Sequence, residues 1–121
     1  MIVYRIENLN GEGPYSSDDS WSYDMGISHE KKDHLDWNED NIRGTSADHI
    51  SGFLSSKDAI RWFGGWFRYM YKKIEFKLVK YEVDPADVII GCSRKQVVFK
   101  KPCKKLKQSQ HLLPLIKMEK V

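Results

Sequence analysis

The stretch FKLVKYEVDPADVIIGCSRKQVVFK, residues 76–100, constrains the fold more than any other part of the chain. Val79, Tyr81 and Val83 alternate with Lys80 and Glu82, the two-residue period of a strand with one face buried. Pro85 ends that run, since proline lacks the N–H a sheet ladder needs. Val88-Ile89-Ile90 is a short apolar segment, Gly91 to Lys95 turns the chain, and Gln96-Val97-Val98-Phe99 reads as the next strand. The expectation is a central hairpin made from 79–83 and 96–99 across a compact loop.

Upstream, Ile2 to Glu7 (IVYRIE) is rich in strand formers and is expected inside a sheet. Asn8 to Pro14 is dense in turn residues. Residues 15–48 hold no sustained period; they mix acids with Trp21, Tyr23 and Trp37 and read as a long loop or lid. A short helix around 31–37 is one possibility within it. His49 to Leu54 is a short strand whose Gly52 permits close backbone approach. Ser55 with Asp58 has the form of a capping box, so a helix starts there. Ala59, Ile60, Trp62, Phe63, Trp66, Phe67, Met70 and Tyr71 recur at steps of three and four, which predicts a helix over 56–73 despite Gly64 and Gly65. A last edge strand is expected at 111–116. Together these elements give a single α+β domain over 1–121: a bent mixed or antiparallel sheet of about five to six strands with one main helix.

A chain of 121 residues with 40% hydrophobic and 12% aromatic content has the length and the apolar mass for one core. No apolar run reaches the roughly 18 residues of a membrane helix, and the first residues lack the pattern of a signal peptide. Cys92 and Cys103 are the two cysteines; this is no disulfide framework, although a bridge between them is conceivable, and a reducing cytoplasm is the expected location. The net charge of +3 conceals a division: residues 1–50 carry four basic and eleven acidic side chains, residues 51–121 sixteen and six. Such polarity orients partners through long-range fields, or pairs an acidic loop with a basic face of the same molecule.

The order of elements resembles the ADP-ribosyltransferase-like fold. The residues that carry the likeness are Tyr4-Arg5 on an early strand, Phe53-Leu54-Ser55-Ser56 before a helix, the run from Val79 to Val88 with its Val83-Asp84-Pro85 core, and Gln96-Val97-Val98-Phe99. The chain also resembles small phage or prophage proteins that open with a Tyr-Arg-Ile-Glu-Asn strand and a Gly-x-Gly-Pro-Tyr loop, here Tyr4 to Asn8 and Gly11 to Tyr15.

The first resemblance implies a pocket for NAD or a related nucleotide. Arg5 would anchor phosphate or ribose, as a guanidinium's forked donors allow, with Tyr4, Ser55 and Ser56 as supporting cofactor contacts. Gln96 falls where such enzymes place a catalytic glutamate. Glutamine keeps the hydrogen bonds and loses the charge that stabilises a developing cation, so activity is expected to be weakened or replaced by binding alone. Two other readings stand beside it. One is a non-enzymatic inhibitor of a host or defence protein, in the host cytoplasm. The other is a nucleic-acid module using Lys100, Lys101, Lys104 and Lys105 against phosphates, although the same lysines would guard an edge strand. His29 and His34, with Asp33 and Asp36 nearby, do not make a convergent metal site, and no metal is expected.

Overall fold

A computed structural model describes residues 1–8, 10–16, 24–25, 27–28, 34–66, 76–100 and 104–111. Among the described residues, six strands form two antiparallel three-stranded sheets. The strands are β1 (Ile2–Glu7), β2 (His49–Gly52), β3 (Lys77–Glu82), β4 (Val88–Ile90), β5 (Val97–Lys100) and β6 (Lys104–His111); the helix α1 (Ser56–Phe63) follows β2. One sheet has the order β1-β3-β6, the other β2-β5-β4. They are stitched where Tyr4 and Phe53 exchange backbone hydrogen bonds of 2.8 and 2.7 Å.

The α+β class is the one expected, but the pairing is not. The strands at 79–83 and 96–99 form no hairpin with each other. β3 is the middle strand of the first sheet, and β5 is the middle strand of the second. The tight hairpin is β4–β5, with Ile90 opposite Val97 and Gly91 N–H donating to the Gln96 carbonyl. Val97, Val98 and Phe99 are all buried, so β5 is covered on both faces and its alternation disappears.

The two faces of β1 and β3 serve different cores. Ile6 and Leu78 pack with Phe53, Ala59, Ile60 and Phe63, beneath α1. Val3, Val79 and Tyr81 pack with Val97 and Phe99 of the second sheet. Gly52 sits at the stitch: a Cβ there would lie 2.6 Å from Val3 Cγ1 and 2.9 Å from the Tyr4 carbonyl oxygen. The close approach expected of this glycine is what lets β2 cross β1.

Helix α1 is shorter than the 56–73 expected from its apolar period. Ser55 Oγ accepts from Asp58 N–H at 3.1 Å and starts the helix. Gly64, at φ 54°, closes it with its N–H on the Ile60 carbonyl, a backbone state that glycine adopts without strain. A 3-10 turn, Gly64–Trp66, follows, and residues 67–73 lie outside the described set. Of the helix considered near 31–37, residues 31–33 lie outside the described set; residues 34–36 are irregular and Trp37 to Asn41 form a turn, while helical residues occur earlier, at 24–25 and 27–28. The last described strand is β6, ending at His111; 112–116 and Cys103 lie outside the described residues, and Cys92 is an exposed free thiol.

Candidate functional site

Where the two sheets part, β1 turns polar. Val3 is in the intersheet core, but Arg5 and Glu7, on the same face, cannot be accommodated by hydrocarbon. They solve the problem together: Arg5 Nε donates to Glu7 Oε2 at 3.0 Å, and Tyr81 hydroxyl donates to Glu7 Oε1 at 2.7 Å. Both residues are buried, at 7% and 1% exposure. Arg5 Nη1 donates to the Ser51 carbonyl at 2.8 Å, and Nη2 to the Gly11 carbonyl at 3.3 Å. The turn that presents Gly11 is held by Asn8, whose Oδ1 accepts from the N–H groups of Asn10 and Glu12. A guanidinium has five N–H donors. One on each terminal nitrogen therefore stays uncommitted, apart from a weak 3.5 Å contact with Ser51 Oγ.

A second polar knot lies across the cleft. Asp40, with no exposed surface, accepts from Ser93 N–H at 2.7 Å, Ser93 Oγ at 2.8 Å and Gln96 Nε2 at 3.1 Å. Gln96 Nε2 also donates to the Leu35 carbonyl at 2.8 Å. Both partners of this nitrogen are pure acceptors, so the amide orientation is dictated by chemistry. Gln96 Oε1 accepts nothing from the described residues and opens onto the cleft. Gly91 passes directly over the Asp40 carboxylate, where any Cβ would overlap it.

Between the knots lie two adjoining cavities. The smaller, about 230 Å³, is lined by Arg5, Gly13, His49 and Ile50 among others. The larger, about 580 Å³, is lined by His34, Asp36, Glu39, Trp62 and Gln96 among others. Tyr15, Trp37, Ser51, Phe53 and Phe63 border both. The larger volume is of the size that holds a small ligand.

A family model, described as the bacteriophage T4 Y00F protein, matches residues 1–112. The chain belongs to that family. The match carries the likeness to small phage proteins; none of the comparisons carries the ADP-ribosyltransferase likeness. No curated protein and no solved structure matches the chain.

In this member of the Y00F family, the residues expected to share a pocket divide. Arg5 and Gln96 border the cleft, one in each cavity. Tyr4 turns to the other face of β1, packed on the α1 core with Lys80 Nζ 5.6 Å from its ring centroid. Ser55 is the α1 cap, Ser56 is the first helical residue, and neither borders the cavities. Lys100 is exposed at the end of β5, Lys101 lies outside the described residues, and Lys104 and Lys105 stand in β6 opposite Glu82 and Tyr81. Among the described residues, no three His, Cys, Asp or Glu side chains converge as metal ligands, and no helix is long and apolar enough to cross a membrane.

Asp40, Glu7, Ser51 and Tyr15 were missed by the sequence reading. Asp40 had no local signal; the acid two residues after Arg5 on a strand was a signal for Glu7, since alternation puts both on one face. Tyr15 hydroxyl accepts from Trp62 Nε1 at 2.7 Å, and its ring lies 5.8 Å from that of Phe63. Although 44% of Tyr15 faces solvent, burial of the remainder raises its pKa above the ordinary tyrosine value, and the Trp62 bond opposes that rise. A raised folded-state value means that the un-ionised phenol is favoured by folding. This contribution to stability is whole below about pH 10 and is lost as pH climbs above it. In an alkaline titration followed by tyrosinate absorbance, Tyr15 is expected to ionise above the ordinary tyrosine range; Tyr15→Phe should reduce the late part of the absorbance rise, and an unchanged titration would count against this placement.

Proposed function

We propose that this phage protein binds a nucleotide of the NAD type in the cleft between its two sheets, in the host cytoplasm, without efficient turnover. What supports the reading is the position of Arg5 and Gln96 on adjoining cavities that share five bordering residues. The uncommitted N–H groups of Arg5 suit a phosphate or ribose oxygen. Tyr15, Trp37 and Phe53 supply flat apolar surface for a base, as cofactor pockets do. Gln96 carries no charge, and Arg5 is already paired with Glu7. Neither residue offers the negative charge that would stabilise a departing nicotinamide's oxocarbenium partner. Binding without catalysis is the coherent outcome.

The experiment is thermal unfolding of the full chain with NAD, ADP-ribose and AMP. A ligand that binds only the native state at a hundred times its Kd stabilises it by about 2.7 kcal/mol, which reads as a rise of several degrees in Tm. No rise with any of the three would sink the proposal. Arg5→Ala is a poor control, because it strands Glu7; the paired change Arg5→Met with Glu7→Gln keeps the interior neutral and should abolish the nucleotide shift.

A further inference from the structure

We infer that the larger cavity is a site for a positively charged nitrogen group bearing N–H donors, a protonated amine or a guanidinium. Gln96 Oε1, the Asp36 and Glu39 carboxylates and the aromatic wall would hold it. This assignment stands whether or not a nucleotide enters at the Arg5 end.

Three independent observations carry it. The first is the polarity of Gln96. It is 5% exposed and borders the cavity. Asp40 and the Leu35 carbonyl take its amide hydrogens, so what remains for the cavity is an acceptor already excluded from most solvent. A group bearing N–H donors would complete the hydrogen bonding of this oxygen. An anion would be repelled here by the same oxygen.

The second is the rim. Asp36 Oδ1 accepts from Glu39 N–H at 2.7 Å, and Glu39 Oε1 accepts from Asp36 N–H at 3.2 Å. This reciprocal cap fixes both carboxylates at the cavity edge and occupies one oxygen of each. Their other oxygens accept nothing from the described residues. No lysine or arginine among the described residues borders this cavity; Arg43, the nearest arginine in sequence, is turned to Asn41 Oδ1 and Asn38 Oδ1. Among the described residues, the carboxylates that border this cavity are therefore not paired there with a lysine or arginine.

The third is the wall. His34 and Trp62 meet edge to face at 4.5 Å, and Phe53 lies 5.8 Å from Trp62 and 5.9 Å from Phe63. With Trp37 and Tyr15 they make a nearly continuous aromatic lining. Aromatic faces attract cations. A cavity that combines carboxylates at its edge, an amide acceptor and aromatic walls selects a cation with N–H groups over a neutral or anionic ligand.

The test is an NMR titration of the full chain, read at the indole N–H signals of Trp37 and Trp62, with three small probes. Ethylguanidinium has the charge and the donors; ethylurea has the donors alone; tetramethylammonium has the charge alone. Ethylguanidinium is expected to bind at least tenfold more tightly than either of the others. The double change Asp36→Asn with Glu39→Gln keeps a side-chain amide oxygen to accept from each backbone N–H, and thus the turn, in place; it should weaken ethylguanidinium at least tenfold with an unchanged Tm. Agmatine and an arginine-containing tripeptide amide, run in parallel, distinguish a small polyamine from a protein side chain as the source of the group. Equal binding of ethylurea, equal binding by the double variant, or no movement of either indole signal would overturn the assignment. Because no probe contains phosphate, these outcomes are separate from those of the nucleotide experiment.

Discussion

Arg5→Ala is expected to destabilise the protein by about 3–5 kcal/mol, the usual cost of removing one partner from a buried ion pair. The larger part of that cost is what the change leaves behind. Glu7, 1% exposed, would keep the Tyr81 hydroxyl as a partner and lose its cation. The Ser51 and Gly11 carbonyls would also lose their donor. Urea unfolding checks this: the midpoint should fall sharply with little change in slope. Adding Glu7→Gln should recover much of the loss, because a neutral amide can still accept from Tyr81 and carries no stranded charge. A loss below about 1 kcal/mol for Arg5→Ala would mean that the pair is solvated and worth no more than a surface bridge.

Arg5 therefore has a structural duty that the chemistry of a phosphate anchor did not foretell. The same environment makes it a preorganised donor, because Glu7, Ser51 and Gly11 hold the guanidinium plane before any ligand arrives. Gly13 belongs to this arrangement: a Cβ there would lie 3.2 Å from Arg5 Nη2, so the loop over the arginine has little room for a side chain.

Gln96→Glu should be nearly as damaging, and it should not create a transferase. It would replace the nitrogen that lies 3.1 Å from Asp40 Oδ2 and 2.8 Å from the Leu35 carbonyl with an oxygen. Two carboxylates would then meet where one of them has no exposed surface. Such a pair is tolerated only if one member holds a proton. The expected result is a loss of about 3–4 kcal/mol at neutral pH, on the scale of an uncompensated buried charge. The sign of the pH dependence follows. The folded state would bind a proton that the unfolded chain releases in the ordinary carboxylate range, so the variant should regain stability relative to wild type as pH falls through that range. Denaturant midpoints of the two proteins measured from pH 7 down to pH 4 provide the comparison; a gap that stays constant would show that the introduced carboxylate rotates to solvent. If the variant also gained NAD cleavage, the binding-only reading would have to be abandoned.

The glutamine at this position is therefore explained by its neighbours. With Asp40 fully buried beside it, the chain needs a donor, and a glutamate would be a second acceptor. That requirement is invisible along the chain, since Asp40 and Gln96 are 56 residues apart.

From residue pattern alone, the protein's local structure was determined in good part. Alternating Val79, Tyr81 and Val83 made a strand; Ser55 made a helix start; Gly52 marked a crossing; the turn residues from Asn8 to Pro14 made the loop that now closes over Arg5. Each of these is decided by forces acting within a few residues. Tertiary structure alone decided the partners. A period of two marks the buried face of β3, and a continuous apolar run marks β5, but neither says which strand lies beside it, so both could be recognised while their pairing was mistaken. The cleft has the same origin: it exists because two sheets share one crossing at Tyr4 and Phe53 and then separate. The polar groups at their divergence, Arg5 with Glu7 and Gln96 with Asp40, gain their meaning from burial and from long-range neighbours, which only the folded chain provides.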